Sequence, residues 1–111
     1  MRQPKPHTLC LCILAVISLT GCHSTFDKHH LDAAKKEYFL KDYEHAYQRL
    51  VRLAKRGNPE AQYTVGYMLY YGQGVVEDPR AATFWFNQAA HQGHQGAQDA
   101  LASLSAPPGP S

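Results

Sequence analysis

Catalysis needs a nucleophile, a proton donor and acceptor, or a set of ligands held close together. The chain has three cysteines and seven histidines among its 111 residues. Cys22 is set among small residues in Ser18-Leu19-Thr20-Gly21-Cys22-His23-Ser24, and its thiol is a candidate nucleophile. Gly72-Gln73-Gly74 has two glycines of a phosphate-cradling loop, but no third glycine or Lys-Ser/Thr follows and no strand pattern precedes it. His29 and His30 are neighbours, so a helix points them about 100° apart and cannot aim both at one ion. His91 and His94 straddle Gly93, with no cysteine nearby to complete a zinc set. These histidines read as solvated polar positions. The serines lie before residue 25 or after residue 102, and the carboxylates are scattered, with Glu77 and Asp78 adjacent where a helix begins. No catalytic residue, no metal site and no enzymatic activity is expected on these grounds.

The thiol of Cys22 is positioned by what precedes it. Arg2 and Lys5 give a positive start, and Leu9 to Leu19 is an apolar run of eleven residues. A bilayer span takes roughly 20 residues, whereas the middle of an export signal takes about 7–15. Leu19-Thr20-Gly21-Cys22 resembles the lipobox of bacterial lipoproteins: an aliphatic residue, two small ones and an obligatory cysteine. The resemblance implies cleavage before Cys22, a thioether-linked diacylglycerol on its sulfur and an acyl chain on its new amino group. It also implies a cell-envelope location. His23 stands where an aspartate would favour the inner membrane, so the outer membrane, facing the periplasm, is the expected address. No cofactor other than this covalent lipid is expected. Cys10 and Cys12 would leave with the leader, so no thiol remains for a disulfide and the domain must rely on packing.

Processing changes the charge balance. The full chain carries eleven basic and nine acidic residues, for a formal charge of +2. Loss of residues 1–21 removes Arg2 and Lys5 and leaves a neutral domain of 90 residues. A neutral domain with no basic tail gives no support for nucleic-acid binding. The expected organisation is a leader over 1–21, acylated Cys22 and a linker over 22–29, a folded domain over 30–104, and a proline-rich tail over 105–111.

The folded domain repeats itself. At a shift of 36 residues, Asp42, Ala46, Ala54, Gly57, Ala61 and Gln62 are matched by Asp78, Ala82, Ala90, Gly93, Ala97 and Gln98. Such a period marks stacked supersecondary units. Ala46, Tyr47, Leu50, Leu53 and Ala54 fall three and four apart, which makes one apolar helical stripe. Gly57 and Gly93 supply stops, and Asn58-Pro59 and Asp78-Pro79 supply starts. The pattern predicts an all-α fold with helices over about 30–40, 43–56, 60–71, 79–92 and 96–104, joined as antiparallel hairpins. Small residues, including Ala46, Ala82, Ala90 and Gly66, mark close helix crossings, and Tyr70, Trp85 and Phe86 are expected to fill the core.

The stretch Glu60–Gln98 resembles a Sel1-like repeat, a relative of the tetratricopeptide repeat. Ala61, Gln62, Gly66, Tyr70, Gly72, Gly74, Val75, Asp78, Ala82, Trp85, Ala89, Ala90, Gly93 and Ala97 carry the likeness, and Leu69 departs from it. It implies a short α–α superhelix of about two and a half repeats, the first hairpin lacking the extended Gly72–Val75 loop and the last helix acting as a cap. Arrays usually need about three units to bury enough surface. Docking to a partner, or self-association, would complete this one.

Binding candidates follow from that architecture. Tyr63, Tyr67 and Tyr71 recur every four residues and share a face with Thr64. Either they pack inside, or they line the concave side that the first helix of each hairpin presents to a partner. Arg49, Arg52, Lys55 and Arg56 form a basic strip, either a solvated face or a contact for anionic lipid or an acidic protein. The resemblance implies an adaptor or scaffold that binds protein partners in the envelope while its lipid holds the membrane. The alternative is an inhibitor or immunity-like protein that blocks a periplasmic enzyme. No nucleic acid is expected as a partner.

Overall fold

A computed structural model describes residues 25–109; residues 1–24, which hold the expected leader and Cys22, and the last two residues lie outside the described residues. Five helices account for the described fold, with no strand among them. They are α1 (residues 25–39), α2 (Tyr43–Lys55), α3 (Pro59–Tyr71), α4 (Pro79–His91) and α5 (Gln95–Ser105). From α2 to α5 each packs on the next, as a hairpin array should, and α1 is joined to α2 by ion pairs.

The helix boundaries have local causes. Asn58 and Asp78 cap α3 and α4 by accepting the backbone N–H groups of Ala61 and Ala81 at 2.9 and 3.0 Å, each followed by proline in the first turn. Gly57 and Gly93 end α2 and α4 in left-handed conformation, as the stop signals require. Asp42, although it matches Asp78 in the repeat, caps nothing with its side chain and instead pairs with His45 at 2.8 Å. Helix α1 runs through residues 25–29, which the sequence pattern assigned to a linker. Those residues are held because Asp27 and Phe26 meet Arg56 at the end of α2, a contact that periodicity within one segment does not reveal.

The core is built from small and large side chains in alternation. Ala34, Ala46, Ala54, Ala61, Ala82, Ala89 and Ala97 are all buried, and Leu50, Val65 and Met68 are the largest side chains fully enclosed. Burying each of those three contributes about 1.5–3 kcal/mol. Phe86 belongs to the core, whereas Tyr70 and Trp85 are half-buried at its edge and Ala90 is only half-buried beside the fully buried Ala89. Gly66 lies where α3 crosses α4: a Cβ there would sit 2.7 Å from two Phe86 ring carbons.

Two repeat identities form a hydrogen bond between units. Gln62, buried on α3, donates from Nε2 to the Ala54 carbonyl at 3.1 Å, and Gln98 donates to Ala90 at 3.3 Å. The same donor and the same acceptor therefore recur 36 residues apart. Gln92 reinforces the first tie, donating to Gln62 Oε1 at 2.8 Å and to the Gly57 carbonyl at 2.9 Å.

The array has two distinct ends. At the near end α1 begins, α2 and α4 finish, and α3 and α5 begin. At the far end the Gly72–Val75 loop is seated on the first turn of α2. Gly74 has φ +68°, and a Cβ there would overlap the Tyr43 carbonyl group. Tyr38 donates its hydroxyl to Gln73 Oε1 at 2.9 Å and so ties α1 to the same loop.

Candidate functional site

Helices α1, α3 and α5 are the first members of their hairpins and line one side of the array. Two grooves run along it, one on each flank of α3. The α1–α3 groove, about 450 Å³, is lined by Lys35, Tyr38, Phe39, Leu50, Tyr63, Thr64 and Tyr67. The α3–α5 groove, about 380 Å³, runs from Tyr63, Tyr67, Tyr70 and Tyr71 to Gly96, Asp99, Ser103 and Leu104. Tyr63 and Tyr67 line both grooves.

The four residues expected from sequence to meet a partner fall together here, with different standing. Tyr67 is 37% and Tyr71 58% exposed, and their rings lie 4.6 Å apart. Tyr63 is half-buried, stacked on His94 at 4.7 Å and set against Phe86 at 5.9 Å, so it forms the floor of the site. The space for that stack comes from Gly96, where a Cβ would sit 3.1 Å from the Tyr63 ring. Thr64 has its hydroxyl engaged, donating to the Glu60 carbonyl at 2.9 Å, and contributes its methyl group.

Sequence reasoning missed Phe39, which is 82% exposed, and Leu104, 41% exposed. The available signal for Phe39 was an aromatic one step off the Ala34–Tyr38 stripe, beside a turn. With Tyr67 and Tyr71 they give the concave face four exposed apolar anchors. Tyr and Phe anchors in grooves are what protein interfaces bury at their centres.

An acid-base chain holds the three lining helices in register. Glu60 Oε1 lies 3.3 Å from Lys35 Nζ on α1, and Oε2 lies 3.0 Å from His94 Nε2 at the start of α5. The Ala97 N–H donates to His94 Nδ1 at 3.2 Å, which places the neutral ring's proton on Nε2, facing Glu60. The His94 hydrogen bond is the main force holding the Glu60 carboxyl below its ordinary value; partial burial opposes it and Lys35 assists. Burial raises the Tyr38 phenol, which stays protonated and free to donate to Gln73.

The basic strip is not uniform. Arg49 is held by Glu37 of α1 through contacts of 2.7, 3.0 and 3.2 Å, which lower the Glu37 carboxyl. Arg56 lies 3.2 Å from Asp27, an ion-pair distance without hydrogen-bond alignment, and 5.2 Å over the Phe26 ring. These two arginines therefore join α1 to α2, a role that α2 read alone does not show. Arg52 and Lys55 stay exposed, without an acidic partner among the described residues. Cys22 lies outside the described residues. Among the described residues no three His, Cys, Asp or Glu gather as a metal-binding group, and no helix is long and apolar enough to cross a membrane.

Comparison with known proteins agrees with this architecture. Residues 59–94 match the Sel1 repeat, so the chain carries a Sel1-like repeat made of α3, the loop and α4. A chitin synthase regulator of Saccharomyces cerevisiae is 38% identical over 52 residues, which is 47% of this chain and 8% of that protein. Chitin synthase regulatory factor 3 of Schizosaccharomyces pombe is 42% identical over 50 residues, 45% of this chain and 5% of that protein. The chain thus spans less than a tenth of the length of these curated relatives. No solved structure matches it. The Sel1 repeat is a protein-interaction module, and the two relatives are regulators by name.

Proposed function

We propose that the chain is a lipid-tethered adaptor of a bacterial cell envelope that captures a protein partner in the concave face of its helical repeat. The observation that carries the reading is the pair of grooves flanking α3, with Phe39, Tyr67, Tyr71 and Leu104 exposed along them. Helices packed in hairpins hold these anchors in place before binding, so little ordering cost opposes association. The tyrosine-rich, apolar lining of the grooves fits a binding role, and the relatives' names as regulators support one. Those relatives are fungal and share only a repeat-length stretch; the bacterial envelope is proposed from Leu19-Thr20-Gly21-Cys22 alone.

The lipid would confine the module to a surface and raise its effective concentration beside membrane-associated partners. The outer membrane, periplasmic face, is the proposed address. Two measurements test the two halves. Labelled palmitate should enter the wild-type chain and not Cys22→Ser; equal labelling would remove the tether. Tyr67→Ala with Phe39→Ala should abolish co-purification of the partner while leaving the melting temperature within a few degrees. Undiminished capture would move the docking surface elsewhere.

A further inference from the structure

The near end of the array carries a second surface, and we infer that it contacts the anionic headgroups of the bilayer, so that the helices stand on the membrane with the far end raised. This rests on the acylated Cys22 proposed above. Thr25 is three residues beyond Cys22. Three residues reach at most about 10 Å even when extended, so the lipid would bring the start of α1 to the headgroup layer.

What α1 brings with it suits that layer. A cleft of about 600 Å³ opens between α1 and α2, lined by Phe26, His30, Arg49, Arg52, Lys55 and Arg56 as well as Leu53. Asp27 and Glu37 are taken up by Arg56 and Arg49. Lys28, Arg52 and Lys55 are exposed with no acidic partner among the described residues, and the exposed Asp32 lies outside the cleft. Phe26, 53% exposed, lines the same cleft with Arg56 5.2 Å over its ring. An aromatic ring among cations is the composition that settles at a bilayer interface, ring in the headgroup boundary and charges on the phosphates.

The opposite end has the opposite character. Phe39, Leu40, Tyr71, Val76 and Leu104 are exposed there, and helices of 13 residues separate the ends by about 20 Å. Headgroup contact at the near end would therefore hold the mouths of both grooves away from the lipid and open to a partner. A free tether alone would leave the domain tumbling, with those apolar side chains as apt to meet lipid as protein.

The test uses the full chain as the cell processes it, with a single introduced thiol. His29→Cys reports the near end and Val76→Cys the far end, each carrying a fluorophore read against a soluble quencher. The chain is reconstituted into vesicles of phosphatidylcholine, or of phosphatidylcholine with about one-third phosphatidylglycerol. Shielding of the His29→Cys label should rise about threefold or more in the anionic vesicles and not in the neutral ones, while the Val76→Cys label stays open in both. About 0.5 M salt should reverse the shielding, as should Arg52→Glu with Lys55→Glu. If that double variant fails to fold, the salt titration still decides the matter, because shielding that survives about 0.5 M salt overturns the inference. Equal accessibility in both vesicle types also overturns it. So does shielding that needs an added envelope protein, which would assign the cleft to an acidic protein instead. The mass of the purified chain reports acylation separately. If Cys22 is bare, the same shielding is read in a chain whose Cys10, Cys12 and Cys22 are replaced by serine, with anionic vesicles in excess at low salt, so a lost tether and a lost headgroup contact are told apart.

Discussion

Gly66→Ala inverts the usual effect of its substitution. In the middle of an exposed helix, replacing glycine by alanine stabilises by about 1 kcal/mol. Gly66 lies on α3 at the α4 crossing, and an added Cβ would lie 2.7 Å from both Phe86 Cδ1 and Cε1 and 3.2 Å from the Ala82 carbonyl oxygen. Carbon atoms pack at about 3.5–4.0 Å, so the ring would have to retreat by about 1 Å. Phe86 is 3% exposed and has Tyr63 against it, and the Ala82 oxygen is backbone, so neither yields cheaply. Overpacking of this kind costs about 1–3 kcal/mol. After the helix-propensity gain, a net loss of up to about 2 kcal/mol remains. At about 4–8 °C per kcal/mol for a domain this small, melting should fall by as much as about 15 °C. Circular dichroism at 222 nm measures it. Phe86→Leu in the Gly66→Ala background should cost less than in the wild type, because the smaller side chain relieves the clash. A rise in melting temperature, or equal costs in both backgrounds, would refute the crossing as described.

Other substitutions probe the ties between units and the acid-base chain. Gly74→Ala combines a backbone overlap at Tyr43 with a left-handed φ of +68°, so it should cost well over 2 kcal/mol and lift the loop from α2, read as faster amide exchange over residues 72–78. Gln62→Leu removes the donor to Ala54 and leaves the Gln92 amide half-satisfied; a loss of about 1–3 kcal/mol is expected by urea denaturation. Glu60 is held below its ordinary value of 4.5 in the folded chain, so the stability it supplies is complete above that pH and is lost as pH falls through its lowered folded value. Melting should therefore drop between neutral pH and about pH 3, and Glu60→Gln should make that drop smaller.

The sequence disclosed the repeat, the hairpin order and the tyrosine face, because these depend on periodicity and on local start and stop signals. Gly57, Asn58-Pro59 and Gly93 act within a few residues of themselves, and the structure has them in the roles that local chemistry assigns. What could not be read were relations between segments. Gln62 and Ala54 are visible as repeated identities, yet only the folded array shows that one donates to the other. Arg49 and Arg56 look like members of a free strip while α2 is read alone, and become interhelical ties once Glu37 and Asp27 arrive from α1. The same blindness hid residues 25–29, whose place in α1 depends on Arg56. Tyr63 was legible as a member of the face, but its stack on His94 depends on the room that Gly96 leaves. Phe39 escaped because an aromatic off the apolar stripe has no meaning until α3 lies beside it.

A photoreactive amino acid installed at Tyr67, compared in living cells with one at Gln88, asks where the chain is touched. Gln88 is exposed on α4, outside both grooves. A discrete protein adduct from position 67, absent from 88 and lost when Phe39→Ala is added, is the expected outcome. Adducts of equal yield from both positions, or from position 88 alone, would contradict capture in the concave face.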